Sequence, residues 1–500
     1  MKTQIINYVR AGYPGIYVVS CEEVRVEAQI KSVAHTVERT LYAWSVTEGL
    51  VNTADGTIQE APDPVAAIAQ VAELPENSLI LLRDFHQFLD QPDPVLIRAI
   101  KDALRHAKAK GKTLIVVGCR AVLPPELEHE IVMIHYALPE KAELGVILEN
   151  IAKSAQLSKP EAEHRELLLD SACGLTSIEA ENAFALSIVE TGEFSPGLVA
   201  RQKAAEVRKN GLLEVCPFPG SLDDIGGLEL LKDWLRQRKE AFGPRAASYR
   251  LPSPKGLLII GIPGTGKSLT AKATASVFQR PLLKLDPGRL FGGLVGQSES
   301  NLRSVLTTVE AIAPCVLWVD EIEKGFAGSR NAGSSDGGTS SRVFGTFLSW
   351  MQERSKPVFV VATANEVNQL PPELLRKGRF DEIFSVDLPN ESEREAIWRI
   401  QIEKYHRDPG AFDVQSLAAQ TEGLTGSEIE QVFIDSLYEA FSRDMEPTDL
   451  TVIAQLRNLV PLSKLMKEQI AGIRSWAKGR ARPATAPSQQ NPTRRIVANN

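Results

Sequence analysis

The chain has 500 residues, 43% of them hydrophobic and 24% charged, with a net charge of −7, so it exceeds one ordinary domain and is neither fibrous nor wholly disordered in composition. The acidic balance gives no global sign of a nucleic-acid partner, no apolar run reaches membrane-spanning length, and the five cysteines lack a CxxC pair while the seven histidines form no HxxxH or HExxH pattern, which argues against a disulfide or metal framework. With an N-terminal apolar run too short for a signal core, the expected location is cytoplasmic.

In chain order, Gly15-Ile-Tyr-Val-Val-Ser20 reads as a buried strand, followed by Cys21-Glu-Glu23 and no phosphate cradle. Leu79-Ile-Leu-Leu-Arg-Asp84 and Leu114-Ile-Val-Val-Gly-Cys119 are two further apolar strands. Residues 1–205 are expected to form one α/β domain. Gly211, Pro217, Pro219 and Gly220 mark residues 206–222 as a connection. A second α/β domain is expected over 223–390, a helical lid over 391–477 and a disordered basic tail over 478–500.

The second half carries the chemistry. Gly261-Ile-Pro-Gly-Thr-Gly-Lys-Ser268 fits the phosphate-loop pattern GxxxxGK[ST], between the apolar run Gly256-Leu-Leu-Ile-Ile260 and the helix-compatible run beginning at Leu269. A strand feeding a helix through this loop places phosphates at a helix N-terminus. Pro263, Gly264, Thr265, Gly266 and Leu269 belong to the cradle, Lys267 supplies charge for the β- and γ-phosphates, and Ser268 is placed to ligate Mg²⁺. The next strand, Cys315-Val-Leu-Trp-Val-Asp-Glu321, ends in two carboxylates. Asp320 is expected to hold the metal through water, and Glu321 to polarise the attacking water. A third strand ends at Asn365, which would bridge that water and the γ-phosphate. Arg376 and Arg379 follow within Leu374-Leu-Arg-Lys-Gly-Arg-Phe-Asp381.

These motifs together resemble the AAA clade of the AAA+ ATPases. Asp223-Asp-Ile-Gly-Gly-Leu228 resembles the family segment that packs on adenine, through Ile225 and Gly226. Thr363 through Asp381 resembles the second region of homology, and Gly423-Leu-Thr-Gly-Ser-Glu-Ile429 the sensor-2 region of the lid, with Gly426 and Ser427 near the nucleotide. The resemblance implies ATP and Mg²⁺ as cofactors, a homo-oligomeric ring, usually a hexamer, and Arg376 and Arg379 as fingers given to a neighbouring subunit. Asp320-Glu-Ile-Glu-Lys-Gly-Phe326 and Arg342 through Glu353 are similar to a narrower group, the conserved-reading-frame AAA ATPases of cyanobacteria and algal plastids, which implies a link to photosynthetic regulation and, for a plastid-encoded chain, a place in the plastid stroma. The chain departs from many relatives in carrying Leu294 where a pore loop has an aromatic, and a Gly/Ser-rich stretch at 328–341, expected to be mobile.

The first half echoes the second without its catalytic groups. Leu123-Pro-Pro-Glu-Leu127 matches Leu370-Pro-Pro-Glu-Leu374, Leu138-Pro-Glu-Lys-Ala-Glu143 matches Leu388-Pro-Asn-Glu-Ser-Glu393, and Gly174-Leu-Thr matches Gly423-Leu-Thr. The first and last of these are separated by 51 residues in one copy and 53 in the other, so the sequence predicts an old duplication. Arg83 stands where Asp320 would be and would repel a metal. The first half therefore reads as a degenerate AAA-like scaffold. Three functions follow: a remodelling or regulatory ATPase acting on a protein client, a nucleotide-switched assembly scaffold with slow turnover, or, least favoured at this net charge, a nucleic-acid-acting ATPase.

Overall fold

The computed structural model describes residues 1–486 apart from 62, 92, 210, 217–220, 243, 291–296, 326–338, 355 and 377. Leu294 and most of the 328–341 stretch lie outside the described residues. The chain divides into two compact units, Met1–Ala200 and Arg201–Asn500.

The first unit has seven strands: β1 Gly15–Val19, β2 Leu41–Ser45, β3 Gly49–Asn52, β4 Ile58–Gln59, β5 Leu79–Arg83, β6 Thr113–Gly118 and β7 Ile131–His135. They lie in the order β4-β3-β2-β5-β6-β1-β7. The five strands from β2 to β7 in that order are parallel, and β3 and β4 add an antiparallel edge. Along β5, Leu79 and Leu81 enter one core, and Ile80 and Leu82 enter the other. That alternation is why the strands read as continuous apolar runs: a parallel sheet is covered on both faces. Helices Lys141–Ser154, Ala162–Ala172 and Ser177–Thr191 then build a separate small core around Leu148, Leu169 and Phe184.

The second unit repeats the plan. Its strands are β8 Leu213–Cys216, β9 Gly256–Gly261, β10 Leu282–Leu285, β11 Cys315–Val319, β12 Val358–Ala364, β13 Glu382–Val386 and β14 Arg482–Pro483. Their order is β14-β13-β9-β12-β11-β10-β8. If the five parallel strands that remain in each unit when the two-residue β14 is set aside are numbered by sequence, β7-β1-β6-β5-β2 and β13-β9-β12-β11-β10 both read fifth, first, fourth, third, second. In each unit the first strand of this set is therefore internal, between the fifth and the fourth. Along β12, Val358, Val360, Ala362 and Ala364 face one core, while Phe359 and Val361 face the other with Trp234, Phe278 and Phe384. Helices Glu391–Lys404, Val414–Gln420, Gly426–Ser442 and Asp449–Asn458 form the helical subdomain, packed around Trp398 and Phe433.

Two segments differ from the expectation. Residues 213–216, read as connection, form an edge strand antiparallel to β10. Leu213 and Val215 reach the core, a period-two pattern too short to stand out between Gly211 and Pro217. The basic tail is ordered over its first part: β14 runs parallel to β13. There Ala484 N–H donates to Ser385 O at 2.9 Å, and Ala484 O accepts from Leu231 N–H at 3.2 Å. Thr485 Oγ1 donates to Glu393 Oε1 at 2.6 Å. Backbone pairing to an open sheet edge fixes these residues whatever their charge.

The start of β9 is tightly specified. Gly256 has φ +150°, and a Cβ there would lie 2.1 Å from Val360 O. Its N–H and that of Lys255 donate to Asp381 Oδ2 at 3.0 and 2.7 Å. Gly256→Ala is expected to destabilise the second unit by roughly 2 kcal/mol or more; an unchanged urea midpoint would contradict this packing.

Candidate active site

The turn after β9 is built for close approach. Gly264 and Gly266 have φ +78° and +88°, a conformation glycine adopts without cost. Gly266 is the N-cap of helix Lys267–Phe278, so unpaired N–H groups and the positive end of the helix dipole face the carboxyl edge of the sheet. Thr265 Oγ1 donates to Ile262 O at 2.7 Å and holds the loop's curl. Lys267 is buried, its Nζ donating to Gly261 O at 3.0 Å and Ile262 O at 2.7 Å. Burial pulls its pKa down to about 8, against the upward pull of the carboxylates of Glu323, Asp320 and Glu321. Ser268 and Leu269 are exposed, in the first turn of the helix, and Pro263 is half-buried.

The helical subdomain closes on this loop. Ser427 N–H donates to Gly264 O at 3.1 Å, with Ser427 Oγ at 3.3 Å from the same oxygen. A Cβ on Gly264 would stand 3.0 Å from the hydroxyls of both Ser427 and Thr425, and one on Gly426 3.5 Å from Gly264 O. Gly226 packs so closely on the helix starting at Glu391 that a Cβ would lie 2.5 Å from Ile397 Cγ1. Ile225 is buried, with its Cγ2 about a contact distance (3.9 Å) from where a Gly266 side chain would begin. Leu228 N–H donates to Glu393 Oε1 at 3.1 Å, fastening this segment to the same helix.

Across the sheet edge, β11 and β12 bring the polar groups together. Asn365 Nδ2 donates to Glu321 Oε1 at 3.0 Å, and Lys324 pairs with Glu321 Oε2 at 2.5 Å. Glu321 has φ +48°, a left-handed conformation that costs free energy in a residue other than glycine. Its N–H is held by Thr363 Oγ1 at 3.0 Å, and the same hydroxyl donates to Asp320 Oδ1 at 2.6 Å. Lys284 Nζ stands 3.8 Å from Asp320 Oδ2. Glu323 is buried, accepts from Asn365 N–H at 2.8 Å, and has its pKa raised by desolvation.

The structure thus gathers Ile225, Gly226, the 263–269 loop, Asp320, Glu321, Asn365, Gly426 and Ser427 around one edge. It does not bring in Arg376 and Arg379. Arg376 is exposed, Arg379 donates to Glu373 O, and among the described residues no hydrogen bond or ion pair joins either to Lys267, Asp320, Glu321 or Asn365. Thr363, Glu323 and Lys284 were not singled out from sequence. Thr363 and Glu323 lie two residues from motif positions, on strand or turn geometry that only the fold reveals.

The donor set fits magnesium and a triphosphate: convergent N–H groups and an ammonium for phosphate, and a hydroxyl and a carboxylate for a hard cation. At the turn that carries the acidic pair, the first unit has the same backbone conformation with other side chains. Asp84 has φ +52° and precedes a 3-10 turn, as Glu321 does. Arg83 is engaged by Glu27 (3.0 and 3.1 Å) and Glu48 (2.9 Å), so its charge is met by carboxylates.

Comparison with known proteins gives the family. Residues 257–388 match the family described as ATPase family associated with various cellular activities (AAA). Residues 1–136 and 142–210 match the N-terminal and second domains of SpoVK-like AAA ATPases. The chain is 39% identical over 492 residues to the uncharacterized AAA domain-containing protein ycf46 of Trieres chinensis, covering 97% of this chain and 98% of that one. It is 38% identical to the protein of the same name from Guillardia theta, over 94% and 93% of the two chains. A cell division cycle protein 48 homolog of Archaeoglobus fulgidus is 34% identical over 221 residues, covering 42% of this chain and 29% of that protein.

Thr363→Val, which removes both hydroxyl bonds, is expected to lower turnover about ten- to hundredfold with little change in nucleotide affinity, and Thr363→Ser to restore most of it. Equal turnover of Thr363→Val and the wild type would contradict a role in aiming Asp320 and Glu321.

Proposed function

Since the chain belongs to the AAA ATPase family and resembles its ycf46 members over nearly their full length, we propose that its second unit is a magnesium-dependent ATPase working in a homo-oligomeric ring, usually of six subunits, to remodel or regulate a protein client. The observation that carries the reading is the pair of bonds fixing Glu321: Asn365 Nδ2 on its carboxylate and Thr363 Oγ1 on its N–H. A glutamate held at its carboxylate and at its peptide N–H, at the carboxyl edge of a sheet and opposite a helix N-terminus, is arranged to orient water against a phosphate.

In this mechanism the N–H groups from Gly264 to Ser268 and the Lys267 ammonium bind the β- and γ-phosphates. Ser268 and Asp320 would hold Mg²⁺, which when bound neutralises phosphate charge. Glu321 orients and polarises the attacking water, and Asn365 keeps the carboxylate aimed while contacting the γ-phosphate. Ile225 and Gly226 on one side, and Gly426 and Ser427 on the other, enclose the nucleotide. Because Gly264 O receives the Ser427 N–H, a shift of the phosphate loop is passed to the helical subdomain. Arg376 and Arg379 are assigned to the γ-phosphate of a neighbouring subunit, since Arg376 is exposed and neither is tied to this chain's own site.

Glu321→Gln is expected to cut turnover at least about a hundredfold while nucleotide stays bound; full turnover in that variant would contradict the assignment. Mixing Lys267→Ala subunits with Arg379→Ala subunits should recover part of the activity each lacks alone, read by phosphate release. A mixture as inactive as its components would argue against arginines acting between subunits.

A further inference from the structure

The first unit closes its helical subdomain with a side chain where the second uses its phosphate loop. Helix Glu23–Thr36 follows β1, and its N-cap is Glu22; the corresponding cap after β9 is Gly266. Glu22 is buried, 6% exposed, and its Oε1 accepts from Ser177 N–H at 2.5 Å, across 155 residues of chain. Ser177 is the first residue of helix Ser177–Thr191, capped by Thr176 and Glu179. Helix Gly426–Ser442 starts in the same way, capped by Thr425 and Glu428, and there the contact runs from Ser427 N–H to a backbone oxygen of the phosphate loop.

A second tie reinforces the first. Glu22 Oε2 accepts from Arg25 Nη1 at 2.5 Å, and the same guanidinium donates to Glu143 and, at 2.8 Å, to Ala137 O. It also lies 4.4 Å from the centre of the Tyr136 ring. Glu143 belongs to the first helix of the subdomain, at the capping-box position that Glu393 holds in the second unit. A carboxylate set against a helix N-terminal N–H and a guanidinium is an anion in the place an anionic ligand would take. We infer that Glu22 is a built-in anion that latches the helical subdomain of the first unit shut without nucleotide, leaving that unit a single closed state. The inference stands on contacts within the first unit and does not depend on hydrolysis in the second.

Hydrogen exchange on the full-length chain tests it. In Glu22→Ala, amides of 177–179 should exchange about tenfold faster or more, while strands 79–83 and 113–118 keep wild-type protection. Acetate, but not chloride at equal ionic strength, should restore the lost protection. Glu22→Gln, which keeps an acceptor oxygen and loses the charge, should fall between the two. In the wild type, Mg-ATP should leave 174–180 unchanged. The latch is overturned if both variants exchange like the wild type at 177–179, if protection is lost equally from the strands, or if Mg-ATP protects 174–180.

Discussion

Both units hinge on one contact, between the turn that leaves the first core strand and the N-terminus of a helix in the following subdomain. Strand order makes this contact obligatory. With the first strand internal, its turn emerges at the carboxyl edge of the sheet, where helix N-terminal N–H groups and strand-end side chains converge. The first N–H groups of a helix have no partner within it and are met from outside. In the second unit the loop meets the Ser427 N–H with its own carbonyl, at Gly264. In the first unit a shorter turn brings in the carboxylate of Glu22. The same fold thus gives one edge open to phosphate and one edge already filled.

The polar cluster of the second unit follows from the neighbouring strands. β12 lies between β9 and β11, so its last residues can reach both the phosphate loop and the acidic turn. Thr363 uses that place to hold the Asp320 carboxylate and the Glu321 peptide with one hydroxyl. Asn365 grips the Glu321 side chain and, through its N–H, the buried Glu323. The left-handed backbone at Glu321 persists because it is held from several sides. Asp84 adopts the same conformation in the first unit, so the turn is a property of the fold, and the chemistry lies in the side chains placed on it.

Much of this was legible from residues alone. The phosphate loop, the Asp320–Glu321 pair and Asn365 follow fixed spacings, and the apolar runs that became β1, β5, β6, β9, β11 and β12 are continuous because both sheet faces are buried. The matched LPPEL and GLT segments gave the repeat. What was not legible depends on distant partners. β8 and β14 exist because sheet edges accept them, and no local period announces a four- or two-residue strand. Glu22 looked like the loss of a phosphate cradle; its partner Ser177 is far along the chain, and only the fold shows that it fills the place it seemed to vacate. Thr363 was hidden by the adjacent motif, since sequence gives no sign of which strand residue points at Asp320.

One fold occurs twice in this chain, and on the proposed reading only the second copy takes a nucleotide. Equilibrium binding of a fluorescent ATP analogue to the full chain, read as sites per chain, tests it most directly. One site per chain, abolished by Lys267→Ala, is the expected result. Two sites per chain, or a site that survives Lys267→Ala, would contradict it.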